Sequence, residues 1–579
     1  MHDSGTRDTV VSFSDFSFCY ESQNAPTLQN IDFAVRAGEK ILITGTSGSG
    51  KSTLAHCINS LIPNSFRGKQ TGSVSVKGTV GTVMQDTDAQ FIGLTAAEDI
   101  AFALENDMVE QGAMKTLVVE AAKMVEIEHR LSSDPHKISG GQKQRVSLAG
   151  IIVSDVDILL FDEPLANLDP KTGESAIELI DRIAEESGKT VIIIEHRIED
   201  VLHCKIDRIA VMNEGRIIAD GAPSRVIAQN VFRLSGLREP LYISALRNAH
   251  CTIADEAHIE SVHTIQFDTK KLVAHYSIDR TANRTVDDGL IDENLPNPEN
   301  TGALLRVENV SFRYDSQEPA SAAALGDASF AIPRGLCTAV CGKNGSGKST
   351  FAHLVCGFLQ PSSGRIFFDD ADISVLSIKE RGEKIGYVMQ NPNHMISFPM
   401  VYDEAAFVLR NRKLDETQVK EKVDEVLKIC SLYGMRNWPV NALSYGQKKR
   451  LTIASVLVGG AHMLVLDEPT AGQDLKTYTE IMRFLTRLKI ENGLTLLIIT
   501  HDMHLMLEYA DNTIVFADGK ILCKGDTPSN VLTNDEIIQK AYLKKTSLYT
   551  LAERAMLPDA SAFVKAAVAE TKRTEKGGE

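Results

Sequence analysis

The chain has 579 residues, 43% of them hydrophobic and 24% charged, with a formal net charge of −16. That length leaves room for several domains, and the composition is that of ordinary globular protein. The acidic balance disfavours broad nucleic-acid contact, which needs clustered Lys and Arg to displace counterions, and no apolar run approaches the roughly 18 residues that cross a bilayer.

The N-terminal MHDSGTRDTV lacks the apolar centre of a secretion signal, so a cytoplasmic location is expected, with any membrane association through a partner. An apolar strand KILIT leads into Gly45-Thr46-Ser47-Gly48-Ser49-Gly50-Lys51-Ser52-Thr53, a G-x-x-x-x-G-K-[ST] phosphate loop. Gln85 follows the next apolar run. Met114, Leu117, Val118, Ala121, Met124 and Val125 then recur at helical spacing and are expected to be core. Ser139-Gly140-Gly141-Gln142 comes next, then ILLF ending in Asp162-Glu163, then VIII leading to His196. Residues 237–303 hold 11 acidic and 6 basic residues; their end, VDDGLIDENLPNPENTG, is too polar to offset ordering and is expected to be a flexible tether.

The same order then returns. Gly342-Lys343-Asn344-Gly345-Ser346-Gly347-Lys348-Ser349-Thr350 follows the strand TAVC, and Gln390, the stripe Val419, Val423, Val426 and Leu427, Ser444-Tyr445-Gly446-Gln447, Asp467-Glu468 and His501 come after it. The phosphate loops are offset by 297 positions and every later pair by 305. Such constant spacing means duplicated domains. The expected organisation is a first unit 1–236 with a helical insert about 87–138, an acidic linker 237–303, a second unit 304–545 with an insert about 392–443, and a charged tail 546–579. Short branched runs alternating with helical patterns give an α/β fold with mainly parallel sheets. Nine cysteines with no CxxC pair read as reduced thiols; Cys337 and Cys341 read as core packing.

The chemistry is that of ATP. Backbone N–H groups of each glycine-rich loop and the helix behind it face phosphate oxygens. Lys51 and Lys348 are placed for the β- and γ-phosphates; Ser52, Gln85 and Asp162, and Ser349, Gln390 and Asp467, for Mg²⁺. Glu163 and Glu468 are placed to polarise the attacking water, and His196 and His501 to hydrogen-bond the γ-phosphate.

This set resembles the ATP-binding cassette (ABC) ATPases over most of both halves. SGGQ and SYGQ look like the family's signature segment. The resemblance implies that each signature completes the opposite phosphate loop: Lys51, Asp162, Glu163 and His196 with Ser444, and Lys348, Asp467, Glu468 and His501 with Ser139. It also implies that Tyr20 and Tyr314 stack on adenine, although strand packing accounts for tyrosines there equally. Tyr445 stands where the family usually has Gly, and Gln473 where the first half has Leu168. Either Tyr445 crowds the site that Ser444 completes and slows its turnover, or it points to solvent.

The inserts AEDIAFALEN and YDEAAFVLRN look like those of the energy-coupling factor (ECF) importer ATPases. That resemblance implies a transmembrane scaffold subunit and a small substrate-binding membrane subunit, a peripheral position on the cytoplasmic face of the membrane, no nucleic acid, and one tandem chain supplying both sites. The contact surface is then expected around Glu98, Asp99, Phe102, Asp403, Glu404 and Phe407, with Phe102 and Phe407 alternatively in the core. A sugar- or peptide-importer ATPase usually lacks this stretch. An ABC-F-type translation factor carries a long basic helical linker, whereas this linker is acidic and holds Pro296 and Pro298.

Overall fold

A computed structural model describes residues 8–166, 168–253, 258–277, 302–314 and 323–576. The chain divides into two compact units, Met1–Asp268 and Thr269–Glu579. The segment expected to be a tether lies outside the described residues.

In the first unit, branched apolar runs too short for stable helices become strands buried on both faces. The strands Val80–Val83, Ile158–Asp162, Thr190–Ile194, Lys40–Gly45 and Arg208–Asn213 lie side by side and parallel, and Arg216–Gly221 closes the edge antiparallel. A smaller antiparallel sheet, in the order Leu28–Arg36, Thr9–Tyr20, Gly68–Val76, shows the inward-outward alternation of one covered face. Its Phe13, Phe16 and Phe18 share a core with Leu54 and Ile58 of the helix Lys51–Ile58 and with Ile41, Ile43 and Leu160 of the parallel sheet.

The second unit repeats this plan with strands Ile385–Val388, Met463–Asp467, Thr495–Ile499, Cys337–Cys341, Asn512–Ala517 and Lys520–Asp526. Where its spacing gains eight residues, a short strand, Ala371–Asp372, and a helical turn, Ile378–Arg381, are added. Arg381 is fully buried there. Its guanidinium donates to Leu354 O (2.6 Å) and Val355 O (3.3 Å), satisfying carbonyls at the end of the helix Lys348–Cys356, and to Ser374 O (3.1 Å) and Leu376 O (3.3 Å) of the following loop.

The insert stripes fare unequally. Val419, Val423, Val426 and Leu427 are all buried, as are Val118, Ala121 and Val125. Leu117 and Met124 are exposed, contrary to the expectation of core, because the helix Gln111–Met124 is covered along a narrower strip. Cys337 and Cys341 are buried, and all nine cysteines are free thiols. The stretch from 237 includes the helix Leu241–Asn248, with Tyr242 and Leu246 buried. In the second unit the charged tail forms helices Ser547–Arg554 and Ala560–Lys576. There Glu570 meets His275 at 2.8 Å and Phe563 packs edge-on against Tyr276. Among the described residues, no helix is long and apolar enough to cross a membrane.

Candidate functional site

Each phosphate loop joins a fully buried strand to a helix whose N-cap is a glycine in the left-handed region, Gly50 at φ 99° and Gly347 at φ 106°. A Cβ would stand 2.9 Å from Thr27 O at the first and 2.6 Å from Ala324 O at the second, so only glycine lets the backbone pass. Lys51 Nζ donates to Gly45 O and Thr46 O, both at 2.9 Å. Lys348 Nζ donates to Gly342 O at 2.7 Å and Lys343 O at 2.8 Å. Both lysines are thus folded back along their own loops, beside the concavity of N–H groups. Tyr20 and Tyr314 hydrogen-bond Thr53 Oγ1 (3.2 Å) and Thr350 Oγ1 (3.0 Å) through their hydroxyls, which brings each ring to the first turn of the loop helix.

The acid pairs sit at the ends of the strands Ile158–Asp162 and Met463–Asp467. Glu163 and Glu468 adopt φ of 51° and 44°, a region that L-residues with long side chains rarely visit. Their N–H groups donate to Ile194 O (2.9 Å) and Ile499 O (3.0 Å), which turns each carboxylate toward the neighbouring strand end. There His196 Nε2 meets Glu163 Oε1 at 2.9 Å, and His501 Nδ1 meets Glu468 Oε1 at 2.6 Å. The histidines expected to face phosphate are therefore paired with the carboxylates. Gln85 Nε2 also donates to Glu163 Oε2 at 2.5 Å.

Burial raises Asp162 to about 6, with the Glu163 charge adding to the effect and Lys51 opposing it. Asp162 Oδ1 is buried with no hydrogen-bond donor among the described residues. A buried carboxylate oxygen left without a donor, within reach of the Lys51 charge, fits a hard cation. Asp467, raised likewise by burial, accepts a 2.9 Å hydrogen bond from Tyr387.

The S-x-x-Q of each signature is a capping box, a pattern legible in the sequence but not read there. Ser139 Oγ accepts from Gln142 N, and Gln142 Oε1 accepts from Ser139 N at 3.1 Å; Ser444 and Gln447 do the same at 3.3 and 2.9 Å. Each serine thus stands at the open end of a 13-residue helix. Tyr445 does not point to solvent: its hydroxyl donates to Gln390 O at 3.1 Å.

Three further residues of this neighbourhood were not anticipated. Glu195 is 3% exposed. Its two carboxylate oxygens accept from Leu165 N (2.9 Å), His196 N (2.7 Å) and Arg197 N (3.0 Å), fastening the histidine to the segment after Glu163. Thr500 takes its place in the second unit and donates to Glu468 Oε2 at 3.4 Å. Lys449, 1% exposed, donates to Met389 O (2.6 Å) and Gln390 O (2.9 Å), and burial pushes its ammonium down to about 8.

Two of the four acids expected on a partner-facing surface fasten loops of their own inserts. Asp99 Oδ1 accepts from Ile92 N and Gly93 N, and Glu404 Oε2 from Ser397 N and Phe398 N, at matching positions of the two inserts. Glu404 is buried, which removes it from any contact surface, whereas Phe102 and Phe407 are exposed rather than core, as are Ile92 and Leu94.

Residues 28–166 and 325–471 match a family model described as ABC transporter, and residues 229–312 match one described as ATP-binding cassette cobalt transporter. A putative ABC transporter ATP-binding protein of Clostridium perfringens (strain 13 / Type A) is 50% identical over 574 residues, covering 96% of this chain and 98% of the relative. Another from Enterococcus faecalis (strain ATCC 700802 / V583) is 48% identical, covering 97% and 98%. Among solved structures, cbiO1 from Clostridium perfringens, part of the ABC transporter complex cbiONQ, is 37% identical with a TM-score of 0.38, over 43% of this chain and 99% of that one. With two cassettes in one polypeptide and half of its residues shared with relatives along their whole length, the chain belongs to the ATP-binding, ATP-hydrolysing subunits of ABC transporters.

Proposed function

We propose that this chain is the motor of an ECF-type importer of a metal ion or vitamin, working at the cytoplasmic face of the membrane beneath a transmembrane scaffold subunit and a small substrate-binding membrane subunit. The match of residues 229–312 to the cobalt-transporter model carries this reading. The exposed Ile92, Leu94 and Phe102 of one insert and Phe407 of the other support it, because apolar groups of this size favour burial against a partner.

In this reading each ATP is held by one unit's phosphate loop and the other unit's signature. Lys51, Asp162, Glu163 and His196 act with Ser444; Lys348, Asp467, Glu468 and His501 act with Ser139. Glu163 and Glu468 orient and polarise the attacking water, while His196 and His501 fix those carboxylates through the hydrogen bonds seen here. The capped helix ends present a hydroxyl and N–H groups to charge developing on the γ-phosphate. Mg²⁺ would be held by Ser52, Gln85 and Asp162, and by Ser349, Gln390 and Asp467, where it supplies positive charge against the phosphate oxygens.

Co-expression with a candidate scaffold and small membrane subunit, followed by membrane recovery and uptake of radiolabelled Co²⁺ or vitamin, tests the proposal. Recovery only with the scaffold, and uptake lost in a Glu163→Gln, Glu468→Gln double variant, is the expected result. Co-purification with ribosomes, or with the channel subunits of a sugar or peptide importer, would overturn it.

A further inference from the structure

The two signature helices are anchored differently inside their own units. In the second unit, Tyr445 at the first position of the helix Tyr445–Leu457 and Lys449 one turn later both donate to Gln390 O, and Lys449 also to Met389 O. Gln390 lies two residues past the strand Ile385–Val388, which pairs with the strand carrying Asp467. In the first unit the matching positions are Gly140, which has no side chain, and Gln144, which donates at 2.6 Å to Pro164 O, beyond the acid pair. An outer contact is common to both units: Lys143 with Asp88, and Lys448 with Asn393. The inner clasp between signature helix and glutamine segment belongs to the second unit.

We propose that Tyr445 and Lys449 are positioning residues that make Ser444 follow Gln390. Resting on the composite-site reading above, the clasp transmits the nucleotide state of the second unit to the site built on Lys51, and the reverse path lacks its counterpart. The physical basis is rigidity. Three donor contacts converge on two consecutive carbonyls, one donor being a charged group that burial leaves no alternative partner in water. Any displacement of the Gln390 backbone therefore carries the helix start with it.

The test uses the full chain with Tyr445→Phe and Lys449→Gln combined, the second being the residue of the first unit. Glu468→Gln isolates turnover at Glu163, and Glu163→Gln isolates turnover at Glu468. Loss of the three contacts is expected to lower turnover about tenfold in the first background and to leave the second unchanged. Hydrogen exchange supplies a readout independent of hydrolysis. In the Glu163→Gln, Glu468→Gln protein, ATP with Mg²⁺ slows exchange over residues 444–449; with the clasp removed that slowing disappears, while both phosphate loops stay protected. Equal losses in both backgrounds, a loss confined to the Glu468 site, or persistent slowing over 444–449 overturns the proposal. Tyr445→Phe alone, which keeps the ring, repeats the exchange test if the double variant folds poorly. Ser444→Ala separates the underlying reading: if it leaves turnover at Glu163 untouched, composite sites fail, and the exchange result alone decides the clasp.

Discussion

Glu195→Gln is the most informative single change, because it keeps the shape of the side chain while removing its charge and one of its two acceptor ends. One carboxylate oxygen accepts from Leu165 N, and the other accepts from both His196 N and Arg197 N. An amide has one acceptor and one donor end. In its better orientation it keeps His196 and Arg197 and turns its NH₂ toward the N–H of Leu165. That leaves one buried donor facing another, at a cost of roughly 1–3 kcal/mol. Relief of the carboxylate's burial beside Glu163 offsets part of this, since burial already raises Glu195. The net expectation is about 1–2 kcal/mol, read as roughly five- to thirtyfold faster amide exchange over residues 163–168 in the intact chain. Turnover at Glu163 falls with it, because the tie between that segment and His196 is loosened. The matching Thr500→Val change spares the first unit. Unaltered exchange over 163–168 in Glu195→Gln would refute the argument that the two carboxylate oxygens fasten this segment.

Other outcomes can be measured directly. Glu163→Gln and Glu468→Gln should each slow their own site by about 10²- to 10⁴-fold, and the residual steady-state rates should differ, since Glu195, Tyr445 and Lys449 have no counterparts across the halves; equal rates would remove the asymmetry. Asp162 is raised to about 6 from 3.8, so its contribution to stability is present below the unfolded value and lost as pH rises through the folded one. Asp162→Asn should therefore raise the Tm of nucleotide-free protein at pH 7.5, and the gain should vanish below about pH 4. Arg381→Ala leaves two carbonyls at a helix end, Leu354 O and Val355 O, and two in the following loop, Ser374 O and Leu376 O, without their donor and should destabilise the second unit by about 3 kcal/mol, seen as an earlier urea transition; an unchanged midpoint contradicts its role.

The strands were legible because their runs are local: ILLF, VIII, MLVL and LLII lie within Ile158–Asp162, Thr190–Ile194, Met463–Asp467 and Thr495–Ile499. The phosphate loops and acid pairs were legible because phosphate chemistry leaves few alternatives at each position. Glu195 was not, since a glutamate before a histidine has no pattern of its own; only three N–H groups brought together by folding give it a task. The same holds for Lys449, one cation in the basic run KKR. Glu404 was misread for a related reason. An acidic residue in an insert resembles a surface charge until the loop that it fastens is seen.

The left-handed backbone at Glu163 and Glu468 has an evolutionary consequence. Glycine, asparagine and aspartate enter that region more cheaply than glutamate does, by about 1 kcal/mol. Selection for thermal stability alone would drift both positions toward those residues and silence the motor without disturbing its architecture. Aspartate falls one methylene short of the reach that Glu163 and Glu468 have from these strand ends, so a hyperstable variant library should be screened at these two codons first.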